Sequence, residues 1–184
     1  MGKKIIAMLL TLTMVLTCVF ATPGITAFAL EEGEYEYELI NDNTEVRITW
    51  YKGTAANLNI TNEIDGKPVT EIGDYAFADC TGLTSITIPA SVTSIGNYAF
   101  YDCTGLTSVT ILDGVTSIGY SAFNGCTGLT SVAIPKSVTS IGEAAFYYCT
   151  GLESIVVDKN NPIYHSAGNC LGVQGTPSPF ALTE

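Results

Sequence analysis

Basic side chains and histidine are scarce in this sequence. Only 7 Lys and Arg residues stand against 18 Asp and Glu residues in 184, and the formal net charge is −11 at pH 7. A surface of that sign repels phosphate backbones, so we expect no nucleic-acid partner. The single histidine, His165, has no Ser and Asp pattern around it that would make it a general base. We therefore expect it to be structural or solvent-exposed.

Metal-ligand pairs are also missing from the sequence, because none of the six cysteines forms a C-x-x-C pair. Serine and threonine are abundant, but no base accompanies them in a pattern typical of a nucleophile. Two of the scattered carboxylates could face each other as a glycosidase pair, although solvated acids are the usual arrangement. We expect no cofactor, no metal and no enzymatic activity.

The first 29 residues have the organisation of a secretory signal peptide. Lys3 and Lys4 precede an apolar run over residues 5–21, and Ala27-Phe28-Ala29 is an A-x-A-type cleavage site. We expect cleavage after Ala29 and a secreted or cell-surface protein. Because the run is long, an uncleaved membrane anchor is one alternative, and a lipid attached at Cys18 is another.

A 23-residue unit then recurs four times without insertion or deletion. Valine, isoleucine, phenylalanine and leucine each return at a fixed position of the unit. The leucine opens an L-x-x-[VI]-x-[IV] segment that alternates apolar and Ser/Thr residues, the pattern of a strand with one buried face. The units begin at Val69, Val92, Val115 and Val138, and their phenylalanines are Phe77, Phe100, Phe123 and Phe146.

Each unit also contains a shorter Val-Thr-Ser-Ile stretch, which we interpret as a second extended piece. We expect the glycine after it to let the chain turn, and the following Ala-Phe-x-x-Cys segment is compatible with a helical turn. One unit alone buries too little apolar surface to offset its lost backbone entropy. The sequence therefore predicts a β-rich solenoid with little helix, in which stacked units cover each other's apolar edges.

The units resemble the BspA-type leucine-rich repeat, which is also found in treponemal surface proteins. Its pattern L-x-x-L-x-L-P, followed by I-G-x-x-A-F-x-x-C, corresponds here to Leu83–Pro89 and Ile95–Cys103. The resemblance covers residues 69–160. It implies a right-handed leucine-rich-repeat superhelix.

Two flanking regions complete the predicted organisation. Residues 30–68 are acidic at their start and are weakly similar to the family's N-terminal half-repeat, which implies a cap. Residues 161–184 depart from the repeat pattern. We expect an irregular C-terminal segment there, either truncated or naturally short.

The resemblance also implies an exported protein, because members of this family are typically surface proteins implicated in adhesion to host proteins or other cells. We therefore expect a binding or adhesion protein whose partner is an extracellular protein or a cell-surface glycan. Repeat scaffolds carry varied functions. The alternative is a structural spacer or a truncated fragment of a larger envelope protein. In either case a membrane would be involved only through an uncleaved signal peptide.

One cysteine occupies the same position in every unit. Disulfides must be considered in an exported protein. Parallel side chains that point inward from adjacent units nevertheless give a poor geometry for the Cβ–S–S–Cβ torsion. We therefore expect unpaired buried thiols at Cys80, Cys103, Cys126 and Cys149.

Six of the ten tyrosines lie in the repeats, at variable positions that flank Ala-Phe. Stacked units should bring them to one flank of the solenoid, interleaved with several acidic residues. Tyrosine combines a large contact area with few rotatable bonds and a hydroxyl, so it suits recognition. The alternative is that the rings only cover the apolar columns beneath them. The candidate binding residues are Tyr75, Tyr98, Tyr101, Tyr120, Tyr147 and Tyr148, and the acids are Asp74, Asp79, Asp102 and Glu143.

Overall fold

The computed structural model describes residues 30–167 and 170–173, in which the chain forms a β-solenoid of about five turns without a helix. The predicted β-rich solenoid with little helix is confirmed. The expected signal peptide, Cys18 and the last eleven residues lie outside the described part of the chain. Within that part, no helix is long and apolar enough to cross a membrane.

Fifteen short strands build three sheets, and each 23-residue unit forms one rung of the solenoid, numbered 1 to 4. The strands are β1 (Leu30–Glu32), β2 (Tyr35–Ile40), β3 (Glu45–Tyr51), β4 (Asn57–Asn59), β5 (Glu63–Ile64), β6 (Lys67–Ile72), β7 (Ser85–Ile88), β8 (Ser94–Ile95), β9 (Ser108–Ile111), β10 (Ser117–Ile118), β11 (Ser131–Ile134), β12 (Ser140–Ile141), β13 (Ser154–Val157), β14 (Tyr164–Ala167) and β15 (Cys170–Val173).

Equivalent residues of successive rungs pair in register. The L-x-x-[VI]-x-[IV] segments form a parallel sheet in the order β13-β11-β9-β7-β4, in which Val109 pairs with Val132. The Val-Thr-Ser-Ile stretches form the parallel series β6-β8-β10-β12 of a second sheet. Because every rung has the same length, each strand meets the same residue types in its neighbour.

Residues 30–68 extend the second sheet at its N-terminal end. The antiparallel strands β1, β2 and β3 join it through β3, which runs parallel to β6. Tyr37, Val46 and Ile48 of this extension are buried. On the opposite face, Arg47 donates hydrogen bonds to Glu38 and Glu71 and thereby ties three strands together. The N-terminal segment thus covers the apolar edge of rung 1.

The core is built from the columns that the repeat pattern predicts. The four repeat phenylalanines are completely buried, and their rings stack at centroid distances of 5.0, 4.9 and 5.4 Å. Tyr51 continues this stack at the N-terminal end, 5.2 Å from Phe77. Stacked rings therefore run through the solenoid from the cap to rung 4.

The Ala-Phe-x-x-Cys segment, whose sequence is compatible with a helical turn, forms successive turns and no helix. Each rung places two residues of this region in the left-handed conformation, as Tyr98 and Asp102 do in rung 2, with φ of 53° and 52°. Alternate N–H groups then donate to the next rung, as Phe100 does to the carbonyl of Ala122 at 2.7 Å. A helix would use these donors internally, whereas the turns form a third ladder between rungs.

The glycine that follows each Val-Thr-Ser-Ile stretch has a different role from the expected one. Gly96 and Gly119 are not among the glycines with positive φ. A Cβ atom on Gly119 would lie 2.6 Å from the carbonyl carbon of Gly96 and 2.7 Å from the nitrogen of Asn97. Glycine is therefore required here because the backbones of adjacent rungs approach too closely for a side chain.

Polar side chains cover the C-terminal end of the stack. The buried amide of Asn161 donates to the carbonyls of Pro135 and Val138, both at 2.9 Å. The hydroxyls of Tyr164 and Ser166 accept hydrogen bonds from the N–H groups of Ile141 and Val157. The described part of the segment that we expected to be irregular thus contains the hairpin β14–β15 and satisfies backbone groups at the C-terminal end of the stack.

We expect Gly119→Ala to lower the free energy of unfolding by about 1–3 kcal/mol, because the new methyl group meets backbone atoms that cannot move independently. Gly82 is the matched control, since a Cβ there would meet no atom within 4 Å. Gly82→Ala should leave stability unchanged or raise it by about 0.4–1 kcal/mol through a stiffer unfolded chain. Urea unfolding of both variants measures this, and equal losses would contradict the close-approach explanation.

Phe123→Ala should cost about 3–5 kcal/mol, because it opens a cavity between two stacked rings. Among the described residues, Phe146 contacts a phenylalanine ring on one side only, at 5.4 Å. The surroundings of Phe146 can therefore relax more easily, and Phe146→Ala should cost less. Urea unfolding again gives the comparison, and a larger loss for Phe146→Ala would show that the C-terminal end is packed more rigidly than rung 3.

Candidate functional site: the tyrosine-lined turn flank

The turns of the four rungs stack into one elongated surface, which we call the turn flank. It comprises residues 74–79, 97–102, 120–125 and 143–148. Ala and Phe of each turn point into the core and are fully buried, while the four residues around them are free to vary. All six predicted tyrosines lie on this surface.

The structure brings four of the tyrosines into contact across rungs 1 to 3. The rings of Tyr75 and Tyr98 stack with centroids 4.9 Å apart and planes 8° apart. Tyr98 also makes edge contacts with Tyr101 at 5.8 Å and with Tyr120 at 5.4 Å. Tyr75 and Tyr120 nevertheless remain 48% and 45% exposed. We call these four residues the tyrosine cluster.

The other two tyrosines form a separate pair on rung 4. Tyr147 and Tyr148 lie 4.1 Å apart, and Tyr148 is 57% exposed. No ring contact joins this pair to the tyrosine cluster among the described residues. The sequence predicts all six on one flank, but it could not show which of the rings contact each other.

The backbone of the cluster is conformationally costly for tyrosine. Tyr75 and Tyr98 have φ of 58° and 53°. A bulky residue in the left-handed region costs about 1–3 kcal/mol. The equivalent residues of rungs 3 and 4 are Ser121 and Ala144, with φ of 51° and 56°. The turn therefore needs the conformation but does not need an aromatic side chain.

The core beneath the turn flank does not need the rings as a cover either. Phe123 and Phe146 are fully buried under turns that carry Ser121 and Ala144 at the position of Tyr98. The burial of these phenylalanines equals that of Phe100 in rung 2. The rings of Tyr75 and Tyr98 therefore add little to the exclusion of water from the core, which weakens the alternative that they serve only to cover it.

The predicted acidic residues differ in what they contact. Asp74 accepts a hydrogen bond from the backbone N–H of Asn97 at 2.6 Å, and Asn97 accepts one from the N–H of Tyr120 at 2.9 Å. Asp74 thus helps to join rungs 1 and 2. The charge of Asp102 raises the pKa of the Tyr101 phenol, and the charge of Asp79 raises it to a smaller extent. A negative potential therefore reaches the tyrosine cluster.

The face made by β7, β9, β11 and β13 is chemically different from the turn flank. Threonine hydroxyls beside these strands donate to the preceding rung, as Thr107 does to the carbonyl of Thr84 at 3.0 Å. Its outward strand residues are mainly Ser, Thr, Ala and Val, and none is aromatic. Side chains suited to anchoring a partner are therefore concentrated on the turn flank.

The four repeat cysteines are unpaired, as the sequence predicts. Three thiols donate to carbonyls of the preceding rung: Cys103 to Phe77 at 3.0 Å, Cys126 to Phe100 at 3.2 Å and Cys149 to Phe123 at 3.1 Å. Hydrogen bonds to the neighbouring thiols, together with burial, raise the pKa of Cys126. Cys103, Cys126 and Cys149 are buried and Cys80 is partly exposed, so the column of repeat cysteines is part of the core.

His165 lies on β14 and is partly buried, with its ring against Gly172. Its Nδ1 atom is buried and has no hydrogen-bond partner in the described part of the chain. Nowhere in residues 30–167 and 170–173 do three or more His, Cys, Asp or Glu side chains meet as ligands for a metal ion. The tyrosine cluster is therefore the strongest candidate site.

A comparison with protein families matches residues 56–169 to six copies of the BspA-type leucine-rich repeat region. The chain belongs to this family. The resemblance predicted from the repeats is confirmed. The match extends beyond residues 69–160 in both directions and contains six copies, two more than the four gapless units. No curated protein matches the chain.

Solved structures of other leucine-rich-repeat proteins share the fold. A leucine-rich-repeat protein of T. pallidum is 30% identical, with a TM-score of 0.56, and the match covers 70% of this chain and 71% of that one. One from Bacteroides capillosus is 28% identical over 71% of this chain and 98% of that one, with a TM-score of 0.64. A leucine-rich cell surface protein of Faecalibacterium prausnitzii is 25% identical over 82% and 59%, with a TM-score of 0.53.

The thiol column of this BspA-type protein gives a test of its packing. We expect an alkylating reagent to label Cys80 first in the folded protein, because the other three repeat thiols are buried. All four should react in denaturant without a reductant, and mass spectrometry of the peptides assigns each site. Failure to label them in denaturant unless a reductant is present would show that they are disulfide-bonded.

Proposed function

We propose that this BspA-type repeat protein is an exported binding or adhesion protein that presents its turn flank to an extracellular protein or a cell-surface glycan. The observation that carries the proposal is the tyrosine cluster. Its four rings contact each other across three rungs, and two of them are nearly half exposed. Contiguous, partly exposed aromatic side chains are typical of the anchor residues in interfaces.

Two features of the cluster favour binding over a purely structural role. Tyr75 and Tyr98 occupy a left-handed conformation that is costly for a bulky residue, although Ser121 serves in the same position of rung 3. The phenylalanine beneath Ser121 remains fully buried. A spacer module or a fragment of a larger envelope protein, the alternative function, would use only the interior columns and would give these rings no role.

Export is supported by the N-terminal sequence and by one relative. Residues 1–29 have the basic start, the apolar run and the A-x-A end of a signal peptide. The F. prausnitzii protein, which shares the fold at 25% identity, is described as a cell surface protein. Outside the cell, an exposed repeat surface can contact host proteins, glycans or other cells.

The test replaces the tyrosine cluster by residues that the same positions hold in other rungs. The variant carries Tyr75→Ser, Tyr98→Ser, Tyr101→Asn and Tyr120→Asn, following Ser121, Asn124 and Asn97. Protein made from the full-length sequence is assayed against immobilised extracellular-matrix proteins and an array of cell-surface glycans. We expect the parent to bind at least one of them and the variant to lose about tenfold or more in affinity.

The matched control changes exposed apolar residues away from the turn flank, with Leu112→Ser and Val156→Ser, which are 41% and 56% exposed. This control should bind like the parent, and far-ultraviolet circular dichroism should show the same fold for all three proteins. If the cluster variant is folded and binds as tightly as the parent, the binding site does not include the tyrosine cluster. A parent that binds nothing in either panel would favour the spacer.

A further inference from the structure

The turn flank carries charge of one sign only. Its four turns contain Asp74, Asp79, Asp102 and Glu143, and no lysine or arginine. The whole stretch of residues 69–135, which forms rungs 1 and 2 and most of rung 3, contains no basic residue. No cation of the repeats is therefore placed to neutralise the acids beside the tyrosine cluster.

The basic residues nearest in sequence, Lys67 and Lys136, lie off the turn flank, at the start of β6 and after β11. Arg47 is paired with Glu38 and Glu71 on the N-terminal extension. Lys136, near the end of rung 3, is paired with Asp113 at 3.1 Å. Because these basic residues lie off the turn flank, and Arg47 and Lys136 have their own carboxylates, the negative potential of the cluster is available to a cation that comes from outside.

Asp79 and Asp102 are the acids best placed to act together with the rings. They occupy the same position of rungs 1 and 2, one rung apart, and the Asp102 carboxylate also interacts with the Tyr101 hydroxyl. Both charges act on Tyr101, which contacts Tyr98. The exposed ring surfaces of Tyr75 and Tyr120 lie in the same cluster.

We propose that the tyrosine cluster docks an arginine-rich segment of a protein partner, with guanidinium groups against the tyrosine rings and in contact with Asp79 and Asp102. This inference rests on the proposed binding function and names the chemistry of its partner. The face of an aromatic ring attracts a cation, and the planar guanidinium stacks on a ring while it donates to a carboxylate. A lysine ammonium lacks that planar geometry.

The same charges argue against glycan partners. A sulfated or carboxylated polysaccharide would be repelled by the acids of the turn flank. A neutral sugar could stack on the rings, but it would gain nothing from the charge of Asp79 and Asp102. A cationic peptide uses both features of the surface, so it is the partner with the best complementarity.

The experiment measures binding of protein made from the full-length sequence to an immobilised peptide of alternating Arg and Gly residues. A peptide of alternating Glu and Gly and a neutral mannan are the comparison probes. We expect the arginine peptide to bind and both comparison probes to bind at least about tenfold more weakly. Binding of the arginine peptide should weaken as the salt concentration rises.

Two variants separate the rings from the acids, and a third controls for net charge. Tyr98→Ser with Tyr101→Asn keeps the charge and should weaken arginine-peptide binding about tenfold. Asp79→Asn with Asp102→Asn keeps the rings and should weaken it by about fivefold while reducing its salt dependence. Glu63→Gln with Glu153→Gln removes the same charge from exposed residues off the turn flank and should change affinity less than about twofold.

Three outcomes would overturn the inference. Equal losses for the Asp79/Asp102 and Glu63/Glu153 variants, with no loss for the tyrosine variant, would mean attraction to the overall acidic protein. Mannan binding that depends on the tyrosines, without arginine-peptide binding, would make the cluster a glycan site and leave the proposed function intact. If no probe binds in a ring-dependent way and the cluster variant also keeps its affinity for matrix proteins and glycans, both proposals fail.

Discussion

Close approach of identical backbone segments is the constraint on which the rest of this structure depends. At Gly96, Gly119 and Gly142 the rungs come so near that a Cβ atom would lie 2.5–2.6 Å from backbone atoms of the preceding rung. Such contact is possible only if every unit has the same length. The parallel strands, the stacked phenylalanine rings and the ladder of turns all follow from this register.

The register also determines which positions of a unit can hold different residue types in different rungs. Positions that point inward repeat almost unaltered, because a different volume would disturb two neighbours at once. Most of the four turn positions around Ala-Phe are exposed or partly exposed, and there the rungs differ. Tyrosine in rungs 1 and 2 gives way to Ser121 and Ala144 without any loss of burial in the core. Function in this fold is therefore most readily carried on the turns.

The interior was predictable from the sequence, and the turns were only partly so. Recurring Val, Ile, Leu and Phe identify buried columns, and the single cysteine position per unit identifies the unpaired thiols. The segment that is compatible with a helical turn forms other turns, because Tyr98 and Asp102 adopt a left-handed conformation that their residue types do not predict. The role of glycine was misjudged for a related reason: the contact that requires it belongs to another rung, 23 residues away.

By itself, the sequence determined the solenoid, its register and the flank on which six tyrosines lie, because a strict repeat fixes which residues share a position. Only the tertiary structure decided that four of the rings meet around Tyr98 while Tyr147 and Tyr148 form a pair of their own. Ring contacts between rungs depend on the direction in which the side chains of each turn point. The left-handed residues set that direction, and they do so only when the backbone hydrogen bonds to the next rung are in place.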